Sequence, residues 1–531
     1  MTNDYGSSSG TPYSGSYLQR KQGNGKGQQI ADASKLNVSD TFSSVKYPPN
    51  RIQSLDREYE ISLKQFWCYI LKFWGYELDI LDEDIKYRKH FVVSSDVAER
   101  SPAVTKDIPA PKRRYWGLVG GDGGQSDSGP SKREEDIQNS TGESYIPISI
   151  PDQYRYTYVN YYQAINQLSK DYGDESCDEL LDLVEQLQYN GTVECRPNNH
   201  IHPAYAQYKP KDFHKTYWVT QRNDLLDNWF LKALRARKSN TENCLQMFTA
   251  DLHWRGNVFT PNKWVLEGDA PAFIDGSEKG FIKNLTSQKS WMRGTDVNGN
   301  LLYIFRSDHH FPGDANQEEM RKWCILHVEW IRLLLKEVST GLDTVTVLFD
   351  LTGFSMKNND YHTMKFVAEV FEAHQPECLA KVLIYNPPWI FPTLYNIIKG
   401  WLDPDVAKKI TFINSFKDLT NHIPVDSIPS FMGGNDEFSG EYVEPTKEDI
   451  NPPKEKNSKY WQLLKERHIL NLKFFERTKR WIETTDPAMS AKYLKDKIDL
   501  DILLAQNYCA IDPYIRSRGF YDRLGTMELG I

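Results

Sequence analysis

Residues 376 to 434 read PECLAKVLIYNPPWIFPTLYNIIKGWLDPDVAKKITFINSFKDLTNHIPVDSIPSFMGG. Lys381 to Asn386 is a short apolar run that stops at Pro387-Pro388, the pattern of a buried parallel strand feeding a turn. From Trp389 onward the period changes. Ile390, Phe391, Leu394, Ile397, Ile398, Trp401 and Leu402 recur at three- and four-residue spacing, which predicts a helix over 389–402. Pro392 fits only the first turn of such a helix, and Asp403-Pro404 ends it. Lys409 to Ile413 reads as the next strand. Periodicity alone makes this an α/β crossover.

The same alternation continues toward the N-terminus. Asp296 to Asn300 (DVNGN) is a tight-turn signal before a strand at Leu301 to Arg306. Asn316 with Glu319 is a capping-box pair. It opens a helix carrying Met320, Trp323, Cys324, His327, Val328, Ile331, Leu335 and Val338 on one face. Thr344 to Asp350 is a strand, and a helix at Tyr361 to Ala373 returns the chain to Pro376. Strands and helices alternating at this interval imply right-handed crossovers and a mostly parallel sheet.

Composition limits the function classes. The chain has 531 residues and a net charge of −8, with a mean hydropathy of −0.61 and a pI near 5.9. This balance argues against a general nucleic-acid binder, which carries a basic face. Seven cysteines, at 68, 177, 195, 244, 324, 378 and 509, form no CxxC pair and read as reduced thiols of an intracellular protein. No apolar run is long enough for a transmembrane helix, and the Gly-, Ser- and Gln-rich start is unlike a secretory signal. Chemistry is hard to find: there is no HExxH, no Cys-His cluster and no GxSxG elbow, and GGDGG at 120–124 lacks a following Lys-Ser/Thr. Asp308-His309-His310, the densest titratable group, reads as a solvated turn. The expectation is a binding protein, not an enzyme, with no metal.

Pro376-Glu377, the strand ending in Asn386-Pro387, the PW-F-LYNIIKGWLDP helix, the Lys-Ile strand and the closing IP-FMGG resemble the CRAL-TRIO lipid-exchange family in order and spacing. FLKALRARK leading to LHWR, in 230–255, resembles that family's helical N-terminal part. FDLTGFSM at 349–356 and DPYIRSRGFYDRLG at 512–525 match the fungal phosphatidylinositol transfer protein subgroup. The resemblance is fullest over residues 204–435. It implies an α/β lipid-binding domain, with a mostly parallel sheet floor, covering helices and a gate helix. A helical N-terminal domain precedes this domain, and disordered and helical extensions flank it.

The expected division is a disordered tail at 1–57 and an amphipathic helix region at 58–91. A flexible basic linker (92–150) and a helical segment (151–203) follow. The family's N-terminal helical domain (204–271), the lipid-binding domain (272–438) and a helical extension (439–531) complete the chain. Within 58–91, Leu63, Phe66, Trp67, Ile70, Leu71 and Trp74 share a helical face between acidic flanks, which favours docking on the protein body over membrane insertion. Within the linker, KRRYWGLV at 112–119 is basic and aromatic, suited either to an anionic membrane surface or to packing on the domain.

Functionally, the resemblance implies a phosphatidylinositol transfer protein that holds its ligand in an internal apolar cavity. It would exchange that ligand for a second, apolar lipid such as a sterol or another isoprenoid. Such a protein is expected to be a cytoplasmic monomer without a cofactor, touching the endoplasmic reticulum, endosomes or lipid droplets transiently and handing lipid to a lipid-modifying enzyme. A reading from another class, a lipid-sensing interaction scaffold whose extensions recruit such an enzyme, stays open. Carried over residue by residue, Arg237, Lys238, Glu377 and Lys409 match positions associated with phosphatidylinositol binding. Cations suit the phosphate, and a carboxylate accepts from inositol hydroxyls. Val345, Val347 and Phe349 would form the cavity floor. Trp389, Ile390, Phe391, Leu394, Ile397, Ile398 and Trp401 would form the gate helix.

Two departures from the family pattern stand out. Val406 stands where relatives place Thr near the phosphate. Val345 and Val347 stand where relatives that bind phosphatidylcholine place Ser and Thr. An all-apolar floor leaves a choline headgroup unpaired, at roughly 1–3 kcal/mol per unsatisfied group. Phosphatidylcholine transfer between vesicles is therefore expected to be negligible, while binding of an apolar lipid is measurable and weakened by Val347→Asp. Efficient phosphatidylcholine exchange by the unmodified protein refutes this alignment of the strand.

Overall fold

The computed structural model describes residues 37–74, 76, 78–94, 146–147, 200–205 and 216–531. The linker motif at 112–119, the glycines at 120–124 and nearly all of the helical segment expected at 151–203 lie outside them. Five strands form one sheet in chain order: β1 (Ser290–Thr295), β2 (Leu301–Arg306), β3 (Val345–Asp350), β4 (Leu379–Tyr385) and β5 (Ile410–Ile413). β1 and β2 are antiparallel, and every later pair is parallel. The β1–β2 turn closes as DVNGN predicts. Asp296 Oδ1 accepts from the backbone N–H of Asn298 and Asn300, at 2.8 and 2.9 Å, and Gly299 takes the left-handed φ of 85°.

Sequential parallel strands joined by crossovers of one hand put all the crossover helices on one face. These helices are Gln317–Leu334, Tyr361–Ala373 and Phe391–Lys399. The Asn316–Glu319 capping box opens the first of them. Side chains of that face are paired across the sheet in register: Tyr303 beside Val347, Phe305 beside Phe349, and Val347 beside Val382. The opposite face carries Leu302, Ile304, Leu348 and Leu383, all fully buried in a core shared with Leu419, Ile423 and Ile428. The chain closes that core at Gly433-Gly434. A Cβ on Gly434 would sit 2.0 Å from the Ile428 carbonyl oxygen, so only glycine fits.

A second core is helical. We number the helices α1 (Arg57–Phe73), α2 (Leu226–Ala236), α3 (Thr241–His253), α4 (Gln317–Leu334), α5 (Tyr361–Ala373), α6 (Phe391–Lys399), α7 (Ser458–Glu483) and α8 (Pro487–Ile515), leaving the shortest turns unlabelled. Asp56, Asn240, Asn457 and Asp486 cap the N-termini of α1, α3, α7 and α8 with their side chains. α1 is enclosed by α2, α3 and the α7–α8 hairpin. Its polar residues Glu60, Ser62, Lys64, Gln65 and Lys72 are buried with its apolar ones. Lys64 donates to the Val92 carbonyl at 2.7 Å and Ser490 at 2.8 Å, and Trp67 donates to Asp227 at 2.7 Å. Asp227 is in turn paired with the buried Lys497 at 2.5 Å.

The disordered tail expected at 1–57 is corrected from residue 37 onward. Ile52 and Leu55 are core residues. The Ser39 N–H donates to Asp499 at 2.7 Å, the Tyr47 hydroxyl to the Val338 carbonyl at 2.7 Å, and Arg51 pairs with Asp343 at 2.6 Å. These anchors join residues hundreds of positions apart and leave no periodic trace. Residues 91–94, expected as the end of the amphipathic region and the start of the linker, also pack inward through Phe91, Val93 and Ser94. The described end of the segment at 151–203 is extended, with His200–Ile201 paired to Ile146–Pro147.

Residues 439–531 enter both cores. After α8, Arg516 bridges Asp512 and Asp522, each at 2.6 Å, and Arg523 pairs with Asp269 at 2.5 Å. This seats Phe520 and Tyr521 in the sheet core.

The helical core and the sheet meet at Glu329 of α4. Its carboxylate is buried between Arg222 and Arg255, both at 2.8 Å. Arg255 also pairs with Asp251 at 2.9 Å, and Asp251 with His374 at 2.9 Å. Burial by itself would raise the Glu329 pKa, but Arg255, Arg222 and Arg332 together hold it down at about 2. A carboxylate whose folded pKa is depressed adds stability above its unfolded value, and loses it as pH falls through the folded value. Glu329→Gln should cost about 3–5 kcal/mol of unfolding free energy at neutral pH. The difference between wild type and variant in urea titrations should shrink as pH falls from about 4.5 toward about 2. A pH-independent difference would show that the charge is not what matters there.

Candidate functional site

The covered face of the sheet is incompletely filled. Val345 and Val347 are buried, yet Tyr303, Phe305 and Phe349, on the middle strands, keep exposed surface. Phe305 and Phe349 meet at 5.4 Å between ring centroids. On α5, Met364, Phe366, Val367 and Phe371 are all only half-buried, and Val370 alone is fully enclosed. An apolar helix lying over an apolar sheet without sealing it leaves room for apolar ligand atoms. Thr346 points the other way and donates to Asp296 at 2.8 Å, so Val345, Val347 and Phe349 share the helix-covered face.

The segment expected to form a gate helix differs from its expected span. The helix is Phe391–Lys399, not 389–402. The left-handed Asn386, with φ of 48°, and Pro387-Pro388 delay its start, and Gly400 ends it. Phe391 and Leu394 face inward and share a cluster with Leu351, Val382 and Ile384. Ile390 precedes the helix, and Trp401 lies beyond it against Tyr361, at 5.8 Å. Ile398 is half-buried, whereas Ile397 is 45% and Trp389 91% exposed. The seven residues therefore do not form one inward face: some close on the sheet, and Trp389 and Ile397 present apolar surface outward.

The charged residues gather at the N-terminal edge of β4 and β5. Arg237 and Lys238 follow the last turn of α2, Glu377 lies just before β4, and Lys409 just before β5. Lys238 and Glu377 both take left-handed backbone conformations, with φ of 51° and 57°, an uncommon state for residues other than glycine. Lys409 Nζ donates to the Leu379 carbonyl at 2.7 Å, tying the two strand starts together. The Asp405 pKa is lowered first by its hydrogen bond to Lys408, with the charges of Lys238 and Lys409 adding to the effect. The Glu372 pKa is raised first by burial, with Arg237 opposing. Lys238 and Lys409 thus act on one carboxylate, and Arg237 acts on the end of α5.

Sequence reasoning missed the floor of this cluster. Arg235 donates to the Asn50 carbonyl at 2.7 Å and pairs with Asp343 at 3.4 Å. Its pKa is lowered to about 10, first by burial and then by Arg51, while Asp343 and Glu377 oppose the shift. Glu377 is also among the charges that raise the Tyr59 pKa, after burial and Asp56. Arg235 belongs to the same RARK run as Arg237 and Lys238, so a signal existed. For Arg51 and Tyr59 the sequence offered none. Beside the cluster, a surface hollow of about 360 Å³ is lined by Tyr395, Lys399, Leu402, Pro404, Ala407 and Lys408.

His310, expected in a solvated turn, is buried. Its Nδ1 lies 2.9 Å from Lys289 Nζ, and its Nε2 lies 3.2 Å from Asp360, the residue that caps α5. Among the described residues no group of three His, Cys, Asp or Glu side chains could hold a metal ion.

Residues 285–434 match the CRAL/TRIO domain. The phosphatidylinositol transfer protein CSR1 of Eremothecium gossypii is 34% identical over 483 residues, covering 91% of this chain and 99% of that protein. The CRAL-TRIO domain-containing protein C3H8.02 of Schizosaccharomyces pombe is 31% identical over 322 residues, covering 61% of this chain and 70% of that protein. The Sec14 cytosolic factor of Schizosaccharomyces pombe is 26% identical over 234 residues, covering 42% of this chain and 78% of that protein.

Replacing Phe391 and Ile398 with Asp puts charge on the side of α6 that closes on the sheet, so lipid exchange between vesicles should slow at least about tenfold, given what a buried unpaired charge costs. Unchanged exchange would make α6 an ordinary crossover.

Proposed function

This chain belongs to the CRAL/TRIO family, and on that premise we propose that it is a phosphatidylinositol transfer protein. It binds phosphatidylinositol beneath α5 and α6 and exchanges it at membranes for a second, apolar lipid. The observation that carries this reading is the joining of two unlike surfaces. A half-filled apolar sheet face lies under α5 and α6, and Arg237, Lys238, Glu377 and Lys409 gather at the sheet's edge. Acyl chains take the first surface. The cations take the phosphate through charge-assisted hydrogen bonds, and Glu377 accepts from inositol hydroxyls.

The mechanism follows from the cost of leaving the bilayer. Two acyl chains hold roughly 30 methylenes, and exposing them to water costs on the order of 20 kcal/mol. Lipid must therefore pass directly from bilayer to protein, with one ligand replacing another. α6 suits the gate, because it is short, bounded by Pro387-Pro388 and Gly400, and only partly sealed to the sheet. Trp389 and Ile397 offer apolar contact to the membrane, and Lys399 and Lys408 beside the hollow offer attraction to anionic headgroups. Among the described residues no helix is long and apolar enough to cross a membrane, which suits peripheral attachment to intracellular membranes from the cytoplasm. The protein acts by binding rather than by catalysis, as a monomer, and supplies lipid to a lipid-modifying enzyme.

Lys238→Ala combined with Lys409→Ala should abolish phosphatidylinositol transfer while circular dichroism and the unfolding midpoint stay close to wild type. Lys238 is exposed and Lys409 only half-buried, so neither is a core residue. Native mass spectrometry should find phosphatidylinositol on the wild-type protein and not on the double variant. Wild-type transfer rates in the double variant would refute the site.

A further inference from the structure

Three side chains form a line of hydrogen bonds that ends on the N-cap of α5. Lys289, immediately before β1, is fully buried, and His310, in the loop after β2, is 4% exposed. Lys289 donates to the side-chain carbonyl of Asn284. Its Nζ also lies 2.9 Å from His310 Nδ1 and 4.6 Å from the centre of the Trp323 ring. An ammonium only donates, so Nδ1 is a bare acceptor and Nε2 carries the imidazole proton. Nε2 donates to Asp360 Oδ2 at 3.2 Å. The same carboxylate accepts from the Thr363 hydroxyl at 2.7 Å and the Thr363 N–H at 2.9 Å, which caps α5.

This line is neutral overall, with an uncharged ring between an ammonium and a carboxylate. A further proton has one place to go, His310 Nδ1, the atom to which Lys289 donates. An imidazolium N–H would then face the ammonium with no acceptor between them, and the contact breaks. The flanking groups keep their charges where histidine titrates. Burial lowers the Lys289 pKa only to about 8, with Cys324, Asp314 and Asp360 opposing and Lys283 adding to the shift. Burial alone would raise the Asp360 pKa, but His310 and Thr363 hold it at about 2. The His310 pKa is lowered, first by burial, with Lys289 adding and Asp360 and Asp314 opposing. Solvent is close at hand: His309 and Phe311, the chain neighbours of His310, line a surface hollow of about 420 Å³ with Lys283, Ser287, Asp308 and Asp314. His309 is engaged elsewhere, with Nδ1 2.9 Å from the Ser287 carbonyl oxygen and Nε2 3.8 Å from Asp308.

α5 is loosely held, Val370 being its one fully buried residue. Its first residue, Tyr361, meets Trp401 beyond α6 at 5.8 Å between ring centroids, and His310 meets Phe305 of the apolar floor at 5.7 Å. The line of hydrogen bonds therefore ties the covering helix to the sheet it covers.

We propose that Lys289, His310 and Asp360 form a proton-operated latch, which holds α5 over the sheet at neutral pH and releases it in mild acid. It rests on the lipid-exchange reading given above and adds a means of regulating that exchange. A histidine whose folded pKa is lowered contributes stability above its ordinary value of 6.5, and that contribution is lost as pH falls toward the folded value. At about pH 5.5, an open state that takes the proton freely is favoured by up to about tenfold.

The test compares the full chain at about pH 7.5 and about pH 5.5 in two measurements. Hydrogen–deuterium exchange, corrected for the intrinsic rate at each pH, should show protection of α5 falling by about fivefold or more in acid while α4 keeps its protection. Transfer of radiolabelled phosphatidylinositol between phosphatidylcholine vesicles should rise by a similar factor. His310→Gln offers a carbonyl to Lys289 and an N–H to Asp360 but takes no proton, so both responses should be flat in that variant. Wild-type α5 protection that does not change with pH overturns the proposal, and this comparison needs no variant to fold. A response that survives His310→Gln overturns it as well, because it then belongs to another group, such as His374, which pairs with Asp251 at the far end of α5. The two levels fail separately. Transfer with no pH response in α5 makes the latch alone wrong, whereas a pH response in α5 with no transfer at either pH keeps the latch and removes the lipid-exchange reading.

Discussion

The buried carboxylate of Glu329 is the point through which the two halves of the molecule are held in register. Three arginines crowd it, and one of them, Arg255, carries the link onward to Asp251 and His374 at the end of α5. Charges this deep are stabilising only when every partner is present, because each alone would face the full cost of desolvation. The network also fixes geometry. α4, which covers the sheet, cannot shift against the helical core without breaking several short ion pairs at once.

That rigidity sets off what is left loose. α4 is buried almost all round, α5 only at Val370, and α6 only at Phe391 and Leu394. Cover over the sheet thus thins from β2 toward β5, the direction in which the charged edge lies. A protein that must admit a large apolar ligand needs a fixed wall and a wall that can yield. Here the ion pairs supply the first, and incomplete apolar packing supplies the second.

The charged edge depends on segments far apart in the chain. Arg237 and Lys238 come from the end of α2, Glu377 and Lys409 from two strand starts, and the floor beneath them from Arg51, Tyr59 and Arg235. The stretch at 37–57 lies before the part that matches the CRAL/TRIO domain, yet it is bonded into the core through Tyr47 and Arg51. The C-terminal end behaves alike, with Tyr521 packed edge-on against Trp330 of α4 at 5.2 Å between ring centroids. Neither flank is an appendage.

The strands, the crossovers and the capping box at Asn316 were legible because they are local: period, turn chemistry and caps act within a few residues. The alternation in 344–350 likewise determined that Val345, Val347 and Phe349 share a face. The resemblance pointed to Arg237, Lys238, Glu377 and Lys409, since motif spacing survives in a linear sequence. Other features were decided only by tertiary structure. The helix expected at 389–402 was shortened to 391–399 by the conformation of Asn386 and by Gly400, and its apolar residues were divided between sheet and solvent by the docking of α6. Order at 37–57, burial of His310, and the meeting of Arg235 with Glu377 arise from contacts between distant positions. The tautomer of His327 is of the same kind: the residue is visible in the sequence, but only the Trp323 carbonyl one turn back determines that Nδ1 carries the proton.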